Sequence, residues 1–218
     1  MIKAVIFDMD GLMFDTETLN MEGWKFAGKL HGYDMPEDLI RAHIGANAVT
    51  TRKLMQEHFG ANFDFDAVRR DRIDHAFRYI KKHGMPLKPG LQKLLAYLKE
   101  KNIKTAIGSS SEERFVRFYL EHADLDHTFD VVVCGDMVDR SKPEPDIFLL
   151  ALERLGVAAE QCLVLEDSYN GIIAAHRAGI RCVMIPDLLP PTPETEKLLF
   201  RRVHSLTDVI DLIEELHS

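Results

Sequence analysis

The chain has 218 residues, of which 46% are hydrophobic and 28% are charged, and its formal net charge at pH 7 is −8. This composition is that of a globular protein with a sizeable core, and it excludes a disordered or fibrous chain. We expect neither a nucleic-acid partner nor a membrane partner, because the sequence has no block of Lys and Arg and no apolar run of membrane-spanning length.

A short predicted strand opens the chain, and two acids follow it directly. Lys3–Phe7 is a run of β-branched and apolar residues that is too short for a helix and typical of a buried strand. Asp8 and Asp10 come next, two residues apart on an extended chain and so on the same side of it, and Gly11 lets the backbone turn. The pair fits either a shared site of two carboxylates or ordinary turn residues, and this stretch alone does not decide between them.

Residues 16–85 carry helical periodicity and no convincing strand pattern. Turn signals divide the segment into four predicted helices, which are Thr16–Leu30, Glu37–Ile44, Thr50–Phe59 and Phe65–Lys82. Trp24 and Phe26 are interpreted as core residues of this segment. The basic side chains of the last helix, Arg69, Arg70, Arg72 and Arg78, are interpreted as a solvated face.

After Pro89-Gly90 the pattern changes to a regular alternation of helices and strands. The predicted helices are Leu91–Glu100, Glu112–His122, Asp146–Leu155, Gly171–Ala178 and Asp208–Leu216, the predicted strands are Lys104–Gly108, Val131–Cys134, Cys162–Leu165 and Cys182–Ile185, and residues 190–193 form a surface loop. Such alternation implies right-handed crossovers and a parallel sheet covered on both faces. The sequence therefore predicts a Rossmann-like α/β core of residues 1–15 and 86–218, with an all-helical cap of residues 16–85 inserted in its first crossover.

The three cysteines, Cys134, Cys162 and Cys182, have neither metal-ligand spacing nor the spacing of a redox pair. Two of them lie inside apolar, strand-like runs. We interpret all three as reduced core residues of a cytoplasmic protein, which we expect to be a monomer.

Three further polar spots fall at the carboxyl ends of predicted strands, where open α/β sheets bind ligands. Ser109-Ser110-Ser111 precedes a helix whose N-terminus suits an anion, although helix capping by serine explains this run more simply. Lys142 lies before another helix and could reach the same edge, although a lone lysine in a loop is usually solvated. Glu166 and Asp167 follow a buried run, and here a purely structural explanation is weaker.

Taken together, these spots predict a chemical site. Four carboxylates at neighbouring strand ends repel one another strongly, and a hard divalent cation with oxygen ligands, Mg2+, relieves that repulsion. The serines and Lys142 add positive potential beside the ion, so the remaining ligand is expected to be a phosphate. An Asp in such a site can also act as a covalent nucleophile and form an aspartyl-phosphate.

Four motifs in order resemble those of haloacid-dehalogenase-superfamily phosphatases: DMDG at residues 8–11, the strand-end Ser109, Lys142 before Pro143, and the Glu166-Asp167 pair. The contexts FDMDGLMFDTE, SKPEPDIF and LEDSYNGIIAAHRAG are similar to those of the subfamily that contains β-phosphoglucomutase and small sugar-phosphate phosphatases. The resemblance covers nearly the whole chain, including the helical segment after the first motif.

The resemblance implies a role for each matching residue. The implied metal ligands are Asp8, Asp10, Glu166 and Asp167, and the implied phosphate ligands are Ser109, Ser110 and Lys142. Asp8 would also attack phosphorus as the nucleophile. Asp10 would protonate the leaving oxygen and then activate water, and it would bind the metal through its backbone carbonyl. Lys142 would also orient Asp8.

Three functions remain open at this point. The favoured one is a Mg2+-dependent phosphatase of a small phosphorylated metabolite, such as a sugar phosphate or a nucleoside monophosphate. The second is a phosphosugar mutase of the β-phosphoglucomutase type on the same scaffold. The third is a phospho-acceptor signalling module, and a helical domain hinged over the site argues against it, because such a module exposes a face to its partner.

The cap is expected to select the leaving group, with Asn20, Asn47 and Arg72 as candidate residues. The β-phosphoglucomutases, which this chain resembles, have a His in the first cap helix and an Arg just after a glycine of the cap. This chain has Asn20 at the first position and no Arg in residues 45–48, and Arg52 lies one turn further on. These departures favour hydrolysis over the mutase reaction.

Overall fold

The computed structural model describes residues 1–42, 48–188 and 190–217. The strands are β1 (Ala4–Phe7), β2 (Lys104–Gly108), β3 (Val131–Val133), β4 (Cys162–Glu166), β5 (Arg181–Met184) and β6 (Arg201–Arg202). The helices are α1 (Thr16–Leu30), α2 (Glu37–Arg41), α3 (Ala48–Phe59), α4 (Phe65–His83), α5 (Leu91–Glu100), α6 (Glu113–Glu121), α7 (Asp146–Leu155), α8 (Tyr169–Arg177), α9 (Pro193–Glu196) and α10 (Asp208–His217).

The chain divides into two compact units, which are Met1–Asp15 with Pro86–Ser218, and Thr16–Met85. The first unit contains a six-stranded sheet with the order β3-β2-β1-β4-β5-β6, and all neighbouring strands are parallel. In the central strand β1, Phe7 is opposite Ile107 on one side and Leu165 on the other. Parallel pairing in this register brings the carboxyl ends of β1, β2 and β4 to one edge of the sheet.

The core of the first unit lies on both faces of this sheet. Ile6 of β1 and Val164 of β4 belong to one fully buried cluster with Phe148 of α7 and Ile172 of α8. Val5 and its alternate neighbours in β1 point to the opposite face and are equally buried. A strand that is buried on both faces needs apolar side chains at every position, which explains the uninterrupted sequence of β1.

The second unit consists of helices α1 to α4, among which α1 packs mainly against α4. Its buried cluster is Trp24, Ala27, Met35, Ile40, Met55, Phe63, Phe65 and Val68. Trp24 is therefore a core residue, as expected. The same interpretation of Phe26 is wrong: this ring is 40% exposed and stacks on His75 with 4.2 Å between ring centroids.

The predicted α/β fold is confirmed, and the predicted elements differ from the observed ones mainly at their ends. The two-residue strand β6 was not predicted, since a pair of exposed arginines carries no strand pattern. The predicted loop 190–193 is wrong at its last residue, because Pro193 begins α9 behind a Thr192 cap. The end of the second predicted helix, Ile44, lies outside the described residues. No helix among the described ranges has the length and apolarity needed to cross a membrane.

Candidate active site at the carboxyl ends of the strands

Three acids from two neighbouring strands meet at the edge of the sheet. Asp8 follows β1 directly, its backbone N–H donating to the Leu165 carbonyl at 2.9 Å, while Glu166 ends β4 and Asp167 follows it. All three side chains are buried, and one carboxylate oxygen from each lies within 4.8 Å of the others. The parallel register of β1 and β4 thus brings together three of the four acids expected from the sequence, and the Asp10 carboxylate lies against Ser111 instead.

Lys142 reaches the same cluster from a loop and is nearly completely buried, with a side chain that is 4% exposed. Its Nζ donates to Asp8 Oδ1 at 2.5 Å and to Glu166 Oε1 at 2.7 Å. The ammonium also lies 4.7 Å from the centre of the Phe148 ring. The usual interpretation of a lone loop lysine as solvated is therefore wrong here, because two buried carboxylates attract this ammonium into the site.

The charged groups of this cluster shift one another's pKa values. Burial, together with the negative charges of Glu166 and Asp10, raises the pKa of Asp8 to about 8, although Lys142 acts in the opposite direction. Burial disfavours the Lys142 ammonium, but attraction to Asp8 and Glu166 outweighs this, so its pKa lies above the ordinary value. Lys142 therefore stays charged, whereas Asp8 needs additional positive charge to be fully ionised at neutral pH.

The second oxygen of Glu166 is held by residues that follow it in the chain. Its Oε2 accepts hydrogen bonds from the backbone N–H of Asp167, the backbone N–H of Ser168 and the Ser168 hydroxyl, each at 3.0 Å. A side chain at Gly171, in the first turn of α8, would overlap the Glu166 carboxylate. Sequence reasoning missed Ser168 and Gly171, since a serine before a helix and a glycine within it carry no specific signal.

The serine run after β2 contacts Asp10, and the N-cap residue of α6 is Glu112 and not one of the serines. The Ser111 hydroxyl donates to Asp10 Oδ2 at 2.9 Å, and the buried Ser109 hydroxyl lies 3.5 Å from the same oxygen. The Ser111 N–H in turn donates to Ser109 Oγ at 3.1 Å. Ser110 is exposed, and its backbone carbonyl packs against Gly135. Ser111 is the residue that sequence reasoning left without a role, although it belongs to the same run.

The donor set fits a hard divalent cation. Three buried carboxylates within 4.8 Å of one another supply oxygen ligands, and Lys142 offsets only one of their charges. Gly11 has a φ of +83°, and a side chain there would overlap the Asp167 carboxylate. The absent side chain at Gly11 therefore lets the Asp167 carboxylate lie against the backbone of the turn that follows Asp10.

Comparison with known proteins identifies the family to which the chain belongs. A family model described as haloacid dehalogenase-like hydrolase matches residues 5–185. The chain belongs to this family. A phosphorylated carbohydrates phosphatase of Thermotoga maritima is 33% identical over 213 residues, which cover 98% of this chain and 91% of the relative.

Two further similar proteins extend this comparison. The fructose-1-phosphate phosphatase of Escherichia coli strain K12 is 35% identical over 183 residues, covering 83% of this chain and 94% of the relative. The solved structure of CbbY from Rhodobacter sphaeroides in complex with phosphate is 27% identical, with a TM-score of 0.81 and 96% coverage of both chains. The predicted family and enzyme class, a phosphoric monoester hydrolase, are confirmed.

Within the second unit of this haloacid dehalogenase-like hydrolase, two of the three candidate selectivity residues contact each other. Arg72 donates a hydrogen bond to Asn20 Oδ1, and its guanidinium lies 5.2 Å from the centre of the Trp24 ring. Arg72 is thus half-buried, and its interpretation as part of a solvated face is wrong, whereas Arg70 and Arg78 are exposed. The third candidate, Asn47, lies outside the described residues.

Proposed function

We propose that this hydrolase is a Mg2+-dependent phosphatase of a small phosphorylated carbohydrate and that Asp8 is its nucleophile. The observation that carries the proposal is the buried contact of Lys142 with both Asp8 and Glu166, beside the Asp167 carboxylate. A buried cation that contacts two carboxylates holds Asp8 in one orientation and supplies positive charge where a phosphoryl group would bind. The names of the relatives from Thermotoga maritima and Escherichia coli support a carbohydrate phosphate as substrate class.

In the first step that we propose, an oxygen of Asp8 attacks phosphorus, and the bond from phosphorus to the ester oxygen breaks. Asp10 donates a proton to that leaving oxygen, so the alcohol departs neutral. Ser109, the backbone of Ser110 and Lys142 bind the phosphoryl oxygens, whose charge increases in the transition state. The Ser111 hydroxyl, bonded to Asp10 at 2.9 Å, keeps the acid in one orientation.

In the second step, water attacks the phosphorus of the Asp8 aspartyl-phosphate. Asp10, which lost its proton in the first step, now accepts one from that water, and inorganic phosphate leaves with Asp8 regenerated. The residues that we assign to Mg2+ are Asp8, the backbone carbonyl of Asp10, Glu166 and Asp167. The ion would supply positive charge that lowers the repulsion between the carboxylates and the phosphoryl group.

We assign the unit Thr16–Met85 to leaving-group selection as the cap, with Arg72 and Asn20 as its polar recognition pair. The phosphosugar mutase remains the second candidate, and Arg52 is the residue that could supply its grip on a distal phosphate. Arg52 instead binds Asp66 through two nitrogens, at 2.9 and 2.6 Å, and packs over the Phe65 ring at 4.6 Å. A guanidinium already held by a carboxylate is a poor anchor for a second phosphate, so hydrolysis is favoured.

A panel of sugar and nucleoside monophosphates tests the proposal through the release of inorganic phosphate in the presence of Mg2+. We expect turnover of at least one sugar phosphate without a bisphosphate activator, and negligible conversion of glucose 1-phosphate to glucose 6-phosphate. The Asp8→Asn variant keeps the shape of the side chain and should reduce turnover to background while the fold survives. Full activity of folded Asp8→Asn would refute the nucleophile, and rapid isomerisation stimulated by a bisphosphate would favour the mutase.

We also propose that the protein works as a monomer in the cytoplasm. Cys134, Cys162 and Cys182 are buried and free, as expected of thiols in a reducing compartment. Sedimentation equilibrium would test the first part, since a dimer would sediment at twice the chain mass of 24.9 kDa.

A further inference from the structure

A second charged group lies in the first unit, close to the acidic cluster but formed by other residues. Lys88 Nζ is 2.6 Å from Asp187 Oδ1 and 3.7 Å from the Asp15 carboxylate. Lys88 belongs to the segment that precedes α5, and its backbone N–H donates to the Met13 carbonyl at 2.8 Å. Asp187 lies three residues beyond the end of β5. The Lys88 and Asp187 side chains are only 19% and 14% exposed, so this ion pair is largely removed from solvent.

Only one oxygen of Asp187 is used by this ion pair. The other oxygen, Oδ2, is buried, and no group among the described residues donates a hydrogen bond to it. It lies 3.5 Å from the position that a side-chain carbon would occupy at Gly11. The same position overlaps Oδ2 of Asp167, so the Asp167 and Asp187 carboxylates approach each other beside the backbone of Gly11.

A buried carboxylate oxygen without a protein donor is costly, and a bound water is a donor that would satisfy it. Mg2+ in proteins keeps several of its water ligands, and those waters donate hydrogen bonds to nearby carboxylates. Because Asp187 Oδ2 lies close to the Asp167 carboxylate, a water bound to a cation at Asp167 would be near enough to donate to it.

We propose that Asp187 is an outer carboxylate of the Mg2+ site and accepts a hydrogen bond from a metal-bound water through Oδ2. Lys88 is then a positioning residue: it holds Oδ1, and Oδ2 is thereby turned toward Gly11 and Asp167. This inference rests on the metal site of the proposed function. It adds a carboxylate that binds the cation only through water, together with the lysine that orients it.

Calorimetric titration of the metal-free enzyme with MgCl2, without substrate, tests this role. The Asp187→Asn variant should bind Mg2+ roughly 10- to 100-fold more weakly, the range expected when an outer hydrogen-bond acceptor of a metal ligand is lost. Asp15→Asn is the matched control, because it removes the same charge from the same lysine but is expected to change the affinity less than about threefold. Asp15 is farther from Lys88 than Asp187 is, and its side chain is 37% exposed.

The Lys88→Met variant separates positioning from simple electrostatics. Removal of a positive charge beside the acids would by itself tighten Mg2+ binding. If Lys88 positions Asp187, the same change weakens binding, because the freed carboxylate no longer presents Oδ2 to the site. Tighter binding by Lys88→Met would therefore overturn the positioning role.

Two further outcomes would overturn the inference. Affinity of Asp187→Asn within twofold of the wild type, or an equal loss in Asp15→Asn, would show that Asp187 contributes no specific acceptor. Far-ultraviolet circular dichroism establishes whether each variant is folded. If Asp187→Asn does not fold, Asp187→Ser replaces it in the titration. A wild-type protein that binds no Mg2+ would instead refute the metal part of the proposed function itself, which keeps the two failures distinct.

Discussion

The buried Lys142 ammonium gives the sharpest test of the electrostatics of this site. Lys142→Met keeps most of the aliphatic stem and removes the charge, so two buried carboxylates lose the cation that they share. Breaking a buried ion pair from one side typically costs about 3–5 kcal/mol, because the remaining charge is uncompensated. For a chain of this size that cost corresponds to a fall in Tm of roughly 6–20 °C.

An exposed ion pair in the same unit supplies the control. Lys101 lies 3.2 Å from Glu214, with side chains that are 43% and 52% exposed. Exposed pairs of this kind contribute about 0–1 kcal/mol, so Lys101→Met should leave Tm nearly unchanged. Both variants are compared by thermal unfolding in EDTA, which removes any contribution from a bound cation.

The difference in Tm between Lys142→Met and Lys101→Met should also depend on pH. The folded-state pKa of Asp8 is already raised to about 8, and the loss of Lys142 removes the contribution that lowers it. A group with a raised folded pKa stabilises the fold at low pH, and that stability is lost as pH rises from its unfolded value toward its folded value. The extra destabilisation of Lys142→Met relative to Lys101→Met should therefore be larger at about pH 9 than at pH 5. The two proteins diverge only above the folded pKa of about 8, where Asp8 ionises beside Lys142 but stays protonated without it.

The same variant should lose activity as well as stability. Removal of a charge that contacts the phosphoryl group in the transition state is expected to lower kcat/KM on the order of 100-fold or more. Lys142→Arg should be only partly active, since a planar guanidinium does not replace a compact ammonium. If Lys142→Met had the same Tm as Lys101→Met at both pH values, the buried-charge reasoning would be refuted.

Three other predictions concern the metal, the acid and the thiols. Excess EDTA should abolish phosphate release and added Mg2+ should restore it, with little change in fold because the ligands lie on preformed strand ends; full turnover in EDTA would contradict this. Ser111→Ala should lower kcat about tenfold or more, the effect of losing one hydrogen bond to a charged Asp10, whereas Ser111→Thr should retain activity. Burial raises the pKa of the Cys134 thiol to about 11 and the pKa of the Cys162 thiol to about 12, and it also raises the pKa of Cys182. The native protein at pH 8 should therefore not react with a thiol reagent until it is unfolded. Rapid labelling of a native thiol would show that the core opens.

The fold was predictable because the pattern that specifies it is local. Strand β1 is apolar at every position since both of its faces are covered, and such a run can be read without knowledge of its neighbours. Its partners could not be derived in the same way, because the order of strands in the sheet depends on contacts between residues far apart in the chain. The register of Phe7 opposite Leu165 is therefore a structural result, although it decides that Asp8 meets Glu166.

The site was predictable only where its residues are chemically unusual. Acids such as Asp8 and Glu166 stand out after buried strands, and their motif contexts resemble a known family. Lys88 and Asp187 carry no such signal, because a lysine and an aspartate in separate loops are ordinary in any sequence. What distinguishes them is a 2.6 Å contact across 99 residues of chain, which no local pattern encodes.

Gly171 shows how sequence and structure can predict opposite results for one substitution. Within a helix, Gly→Ala is expected to stabilise by about 1 kcal/mol through helix propensity alone. In the structure, the added carbon would overlap the Glu166 carboxylate, which is held on one side by Lys142 and on the other by Ser168. The carboxylate cannot move without weakening buried charge-assisted hydrogen bonds, so we expect Gly171→Ala to destabilise the protein.

Displacement of Glu166 in Gly171→Ala should change both the stability and the activity of the protein. Thermal unfolding should show a lower Tm for Gly171→Ala, and kcat should fall because displacement of Glu166 also disturbs Lys142 and hence the orientation of Asp8. Reduced stability with unchanged kcat would indicate that α8 shifts as a whole and preserves the site. A variant more stable than the wild type and equally active would show that helix propensity outweighs the contact, and that Glu166 is less firmly held than its hydrogen bonds indicate.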